Sequence, residues 1–317
     1  MAVAGWLPTW TGTKGQSSIR TNIGRGMDEV NFFWYSLKSD GGIKASSKAR
    51  DASIMNAVWN AGGEVIPTIY DVSDRAASKA VFNSPGRRKT LVQGILAEVE
   101  AQRYDGIDID FEHIKSDFKG SFHLFLKELR DGLHAKGKIL SIAIPGKRAG
   151  SKSWSGYDYA AVGALVDRFK IMTYGYSGPW SSKPGPIAPT TWISRVLDFA
   201  VTVVQPSKIY IGIPFYGYDW PSNGGKVRSV TWSSAQSKLA RSSAGLRFDS
   251  KFGEATFTYL DAAGVKHTVW FQDHRAIAAK TALVHKYKVA GIAIWALGYG
   301  DRSFWDEIEA SRQLATP

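Results

Sequence analysis

Short runs rich in β-branched and aromatic residues recur along the chain, and longer segments with apolar residues at helical spacing follow them. The runs cover residues 3–7, 29–37, 64–71, 104–112, 138–145, 168–176, 208–218 and 289–297. Helical spacing covers 48–61, 87–102, 118–136, 157–166, 191–204 and 273–287, with 302–314 closing the chain. The segment 13–28 is the poorest helix candidate because of its glycines. Eight strands interleaved with helices predict an α/β fold, a (β/α)8 TIM barrel, in which functional groups come from the C-terminal ends of strands. A doubly wound open sheet is the rival, but no glycine-rich dinucleotide turn follows the first run.

One connection is too long for a simple loop. About fifty residues separate the seventh run from the helix near Asp273, and they carry period-2 segments such as "KVRSVTW" and "ATFTYLD" with a "DAAGVK" turn. Residues 221–271 are therefore expected to form a small, mainly β (α+β) insertion on the catalytic face, where it could wall a cleft. With no repeat or low-complexity linker, residues 1–317 are expected to be a single catalytic domain carrying this insertion.

The run "YDGIDIDFEHIK" carries the chemistry. Alternation along a strand puts Asp108, Asp110 and Glu112 on one face and Ile107, Ile109 and Phe111 on the other. The apolar face can pack helices, so the acidic face must point into the barrel, with Glu112 at the rim. Carboxylates about 6–7 Å apart, two residues' rise along a strand, cannot all ionise cheaply in a low-dielectric interior. At least one should hold a proton, as a general acid must. A calcium site or a buried network without catalytic use are the alternatives.

Composition narrows the classes. There are 317 residues, 44% of them apolar and 21% charged, and no apolar run long enough to span a membrane, so no membrane insertion is expected. Forty Lys and Arg against 28 Asp and Glu give a net charge of +12, which favours a polyanionic partner. The cations are scattered rather than gathered into a block, so nucleic acid is not expected as that partner. The absence of cysteine excludes disulfides and thiol nucleophiles, and the six histidines show no metal-binding spacing, so neither cofactor nor metal is expected. The amino terminus enters a strand at once, with no secretory leader in this sequence.

The spacing Asp-x-x-Asp-x-Asp-x-Glu in "DGIDIDFE" resembles the signature of glycoside hydrolase family 18, the chitinase-like barrels. "KIMTYGY", which contains Met172 and Tyr174, looks like that family's Met-x-Tyr element; "IGIPFYGYDW" looks like its seventh strand, and "GIAIWALG" like its last. Within the family, "IPFYGYDW", "SGPWSSKPGPIAP" and "HTVWFQDHRAIAAK" look closest to the bacterial spore-germination, cortex-lytic branch. The resemblance implies substrate-assisted, retaining hydrolysis of β-linked N-acetylglucosamine polymers. Glu112 would be the acid, Asp110 the partner of the substrate's acetamido N–H, Asp108 its support, Tyr174 a donor to the acetamido oxygen and Trp295 the floor. Many relatives carry an acid after the sixth-strand tyrosine and Tyr-Gly-Arg in the seventh strand, whereas here those positions are Gly175 and Tyr218.

Aromatic residues collect at the predicted strand ends: Trp6, Trp10, Trp34, Tyr35, Tyr70, Tyr216, Tyr218 and Trp220, with Trp180 in a loop. Flat apolar faces with polar edges suit sugar rings. Met172, Tyr216, Tyr218, Trp34, Tyr70, Trp180 and Trp270 are the candidate sugar contacts beside Trp295. The expected partner is a GlcNAc-containing polysaccharide, peptidoglycan or spore cortex ahead of chitin because of the positive charge. The protein is expected to be monomeric and extracellular or cell-wall or spore associated. A catalytically inactive sugar-binding protein and an endo-β-N-acetylglucosaminidase on N-glycans are the competing readings.

Overall fold

In a computed structural model, which describes residues 1–71 and 76–314, eight parallel strands close into a barrel. The first strand, Ala2–Leu7, pairs with both the second, Glu29–Leu37, and the eighth, Gly291–Trp295, and so completes the ring. Between them stand Thr68–Tyr70, Gly106–Asp110, Ile139–Pro145, Arg168–Met172 and Ile209–Pro214, the third to seventh strands, each paired with its neighbours. The expected third strand splits into Glu64–Val65 and Thr68–Tyr70. Pro67, between the pieces, has no N–H to give to the ladder. The expected single domain runs on into residues 315–317, which lie outside the described residues.

Polar residues sit where the sequence needs helix starts. Asp51, Ser84, Asp158, Asp273 and Asp301 each accept a backbone N–H from the first turn of the helix they precede. The segment that reads worst as a helix is nonetheless one, Gly12–Asn22. Gly15 is there for close approach, because a Cβ would lie 2.3 Å from both Leu7 Cδ1 and Thr11 Oγ1. Contact with the first strand outweighs a glycine's helix cost of about 1 kcal/mol.

The alternation in the fourth strand holds. Ile107, Ile109 and Phe111 face the helices, and Phe111 joins Phe82, Phe122 and Phe125 at ring separations of 5.9–6.5 Å. Each fully buried phenylalanine stabilises the wall by about 1.5–3 kcal/mol. The inward faces are more polar than in an all-aliphatic barrel: Glu29, Asn31, Thr68, Asp108, Ser141 and Lys170 are buried there. Register sets their contacts, since Asp108 lies level with Thr68 on one side and Ser141 on the other.

The insertion is a five-stranded antiparallel sheet with one helix, Trp232–Leu239, but it begins earlier than residue 221. Its second strand in spatial order is Tyr216–Pro221, in which Tyr216 pairs with Thr231 and Tyr218 with Trp270. The seventh run, read as continuous over 208–218, is thus two strands belonging to two sheets, divided at Phe215. Hydropathy cannot show the break, because both sheets bury the apolar residues of that run. The insertion is tied to the barrel by the buried Glu254, whose carboxylate accepts the N–H groups of Ile187 at 2.9 Å and Ala188 at 2.5 Å.

Candidate active site

The column of carboxylates stands inside the barrel, and each member meets a different environment. Asp108, lowest of the three, is buried and fully partnered. Its Oδ1 accepts from Ser141 Oγ at 2.6 Å and Lys170 Nζ at 3.2 Å, and its Oδ2 from Trp6 Nε1 at 2.9 Å and Thr68 Oγ1 at 3.0 Å. Asp110, at the strand's last residue, is only 5% exposed, yet its Oδ1 has no hydrogen-bond partner among the described residues. Burial, then the charges of Glu112, Asp108 and Asp71, hold its pKa well above the usual carboxylate range.

Glu112 lies two residues past the strand end, half-buried, where the chain needs outside support. Asp71 supplies it from the end of the third strand: its carboxylate accepts the N–H of Glu112 at 2.7 Å and of His113 at 3.1 Å, and the Ser78 hydroxyl at 2.6 Å. From the far side the Tyr157 hydroxyl donates to the Phe111 carbonyl. Burial and the Asp71 charge raise the Glu112 pKa, and His113 opposes them. Glu112 and Asp110 are therefore both biased toward the protonated form.

The two carboxyls open on a cleft of about 610 Å³ at the C-terminal end of the barrel. Tyr174, Met172, Trp180, Tyr216 and Trp295 line it with them. Tyr174 fits because the seventh strand has glycine opposite, where a Cβ on Gly212 would come 3.0 Å from the tyrosine ring. Burial raises the Tyr174 pKa well above 10, so the hydroxyl keeps its proton and can donate it in a hydrogen bond. Trp295 is wedged among Phe33, Trp10 and Trp6, with centroids 5.2, 6.2 and 6.3 Å away.

Four expected contacts fall elsewhere. Trp34 points outward, buried and stacked on Phe32 at 4.1 Å, because Asn31 and Phe33 hold the inward parity of the second strand. Phe33 takes the place at the cleft, and Tyr70 stands behind it, stacked at 4.4 Å. Trp270 is buried with Trp220 and Ile187 in the cluster that supports Tyr174 and Tyr216. Tyr218 lines an adjoining depression of about 250 Å³ that it shares with Tyr216 and Trp295. The cleft also gains Trp154, in a loop, and Trp192, in the helix expected over 191–204; sequence reasoning singled out neither side chain. Strict period-2 counting through the second strand would have found Phe33. Nothing local to Asp71 marks its role, which depends on the register of two strands.

Comparison with known proteins agrees with this geometry. Residues 8–300 match the family described as Glycosyl hydrolases family 18. The chain belongs to that family. Among similar proteins, a Bacillus subtilis protein named as a sporulation-specific glycosylase, YdhD, is 34% identical over 86% of this chain and 66% of its own length. The cortical fragment-lytic enzyme of the same organism is 30% identical over 72% of this chain and 54% of its own. The chain thus spans less than two thirds of the length of either relative. A chitinase from Chromobacterium violaceum superposes with a TM-score of 0.90, at 28% identity, over 100% of this chain and 99% of that one.

The departures from the family pattern have a structural setting. Gly175 has φ of +76°, a left-handed conformation that strains any side-chain-bearing residue, so an acid at this position would need a different backbone. Trp180 covers this corner, 3.7 Å from where a Cβ would sit. Trp180 and Tyr218 meet edge to face at 6.4 Å. An aromatic corner stands where many relatives place charges.

Proposed function

We propose that the protein is a retaining glycoside hydrolase that cleaves β-linked N-acetylglucosamine polymers by substrate-assisted catalysis, and that its polymer is bacterial peptidoglycan, including spore cortex, ahead of chitin. The observation that carries the reading is the buried Asp110 with an unpartnered oxygen, set between a fully partnered Asp108 and a rim Glu112 and facing a cleft with Tyr174. Glu112 gives its proton to the glycosidic oxygen as the C1–O bond breaks. The acetamido carbonyl oxygen of the same sugar attacks C1 and closes an oxazolinium ring. Water then attacks C1 and reopens the ring with net retention, returning a proton to Glu112. This scheme needs one acid rather than the usual pair of carboxylates.

Asp110 accepts the acetamido N–H with its free oxygen and so turns the carbonyl toward C1. The Tyr174 hydroxyl donates to that carbonyl oxygen, a contribution of about 2.7–4 kcal/mol by analogy with oxyanion-hole donors. Trp295 supplies the apolar floor. The net charge of +12 and the similarity to a cortical fragment-lytic enzyme favour a wall polymer and a cell-wall or spore location. No described helix is long and apolar enough to cross a membrane.

The test is parallel digestion of chitin oligomers, purified peptidoglycan and N-glycopeptides, read by mass spectrometry. New reducing-end N-acetylglucosamine from peptidoglycan or chitin is the expected product. Cleavage of N-glycopeptides alone would move the assignment to an endoglycosidase of conjugates. No cleavage of any of them would point to a sugar-binding protein.

A further inference from the structure

Beside the catalytic cleft lies a second basin of about 500 Å³, formed by the loop after the fifth strand, the start of helix Thr190–Val203 and the Lys251–Phe252 turn of the insertion. Gly146, Trp154 and Trp192 line both cavities, so the two adjoin. The basin is strongly one-signed. Lys147, Arg148, Arg195 and Lys251 line it, and no carboxylate does. Arg148, Arg195 and Lys251 are exposed and make no ion pair with any described residue. Lys147 is held in place, its ammonium donating to the Tyr157 carbonyl at 2.7 Å and lying 5.4 Å from the Tyr159 ring centre.

Four cations drawn from three separate chain segments into one concavity repel one another; no carboxylate lines the basin, and the charge of Asp158 acts on Lys147 from outside it. Inside the barrel, by contrast, Lys170 and Arg168 have relief from such repulsion in Glu29. A neutral sugar polymer would leave this charge unused. A glycan carrying carboxylates would not, and the aromatic residues shared with the cleft give its rings a surface on the way.

We propose that this basin is a cationic subsite for the carboxylate substituents of a glycan whose N-acetylglucosamine unit occupies the cleft. The inference rests on the proposed function and names the chemical class of its substrate: an acidic glycan, in which lactyl ethers on alternate sugars or attached peptides supply the carboxylates. Arg148, Arg195 and Lys251 set specificity and take no part in bond cleavage.

Binding separates this inference from catalysis. Calorimetric titration of the Glu112→Gln protein would use three oligosaccharides of equal length: a chitin oligomer, an alternating N-acetylglucosamine–N-acetylmuramic acid oligomer, and the latter with its peptides attached. The expected result is at least tenfold tighter binding of one or both carboxylated oligomers than of chitin, a preference that shrinks with added salt. The combined substitutions Arg148→Ala, Arg195→Ala and Lys251→Ala should remove most of that preference while leaving the melting temperature near that of the parent. Preference for the lactyl oligomer without peptides identifies the lactyl carboxylate, and preference only for the third probe identifies the peptide. Equal affinity for all three, or a preference that survives the triple substitution, overturns the subsite. A wild-type protein that binds acidic glycans through this basin yet cleaves none would instead overturn the proposed hydrolysis.

Discussion

Lys170 places its ammonium 3.2 Å from Asp108 Oδ1 and 2.6 Å from Glu29 Oε1, with all three side chains buried inside the barrel. Asn31 Oδ1 accepts from the same ammonium at 2.8 Å. One cation thus serves two carboxylates, and through Asp108 it reaches the floor of the candidate active site. Asp108, at the lower end of the column, thus has four hydrogen-bond donors, whereas burial and the neighbouring charges favour the proton on Asp110 above it.

Lys170→Met keeps the length of the side chain and removes the charge. It leaves two buried carboxylates without their shared partner, and breaking such a pair costs about 3–5 kcal/mol. Denaturant unfolding should show a lower midpoint, with the unfolding free energy reduced by that amount. An unchanged midpoint would mean that the arrangement relaxes without this cation.

Glu29 gives the fold a pH dependence whose sign is fixed. Burial alone would raise its pKa, but Lys170 and Arg168 outweigh burial and bring it from 4.5 down to about 2. Between those values the unfolded chain binds more protons than the folded one, so stability rises with pH. The contribution is in place above about pH 4.5 and is lost as pH falls toward 2. Melting temperatures of wild type and Glu29→Gln across that interval should show a steeper dependence in the wild type.

Asp71 acts through Glu112. Its charge helps raise the Glu112 pKa, and its oxygens hold the Glu112 and His113 N–H groups. Asp71→Asn keeps an acceptor oxygen and deletes the charge, so the Glu112 pKa should fall. A general acid works only while protonated, so activity is lost as pH rises through that pKa. The alkaline limb of the kcat/KM profile should accordingly move to lower pH. A purely structural role would lower activity at every pH without moving the limb.

The fold and the centre of the site were legible for a common reason: both are written in short-range periodicity. Alternation of two placed Asp108 and Asp110 inward and Phe111 outward, and the strand–helix rhythm set the barrel. What escaped depends on register between segments far apart in the chain. Asp71 meets Glu112 across forty-one residues, and Tyr216 leaves the barrel because it pairs with Thr231 and not because of its own character. Trp34 was misplaced by one position, which in a strand exchanges cleft for helix layer. Gly15 looked like a helix breaker because its partner, Leu7, lies in another element.

The central claim is that Glu112 delivers the proton that breaks the glycosidic bond. Glu112→Gln preserves the side chain's size and its capacity to hydrogen-bond but removes the transferable proton. The most direct measurement is kcat/KM of this variant on a substrate the wild type cleaves, with the melting temperature measured alongside. A fall of about 10²- to 10⁴-fold with the fold retained is expected. A variant that turns over within tenfold of the wild type would contradict it.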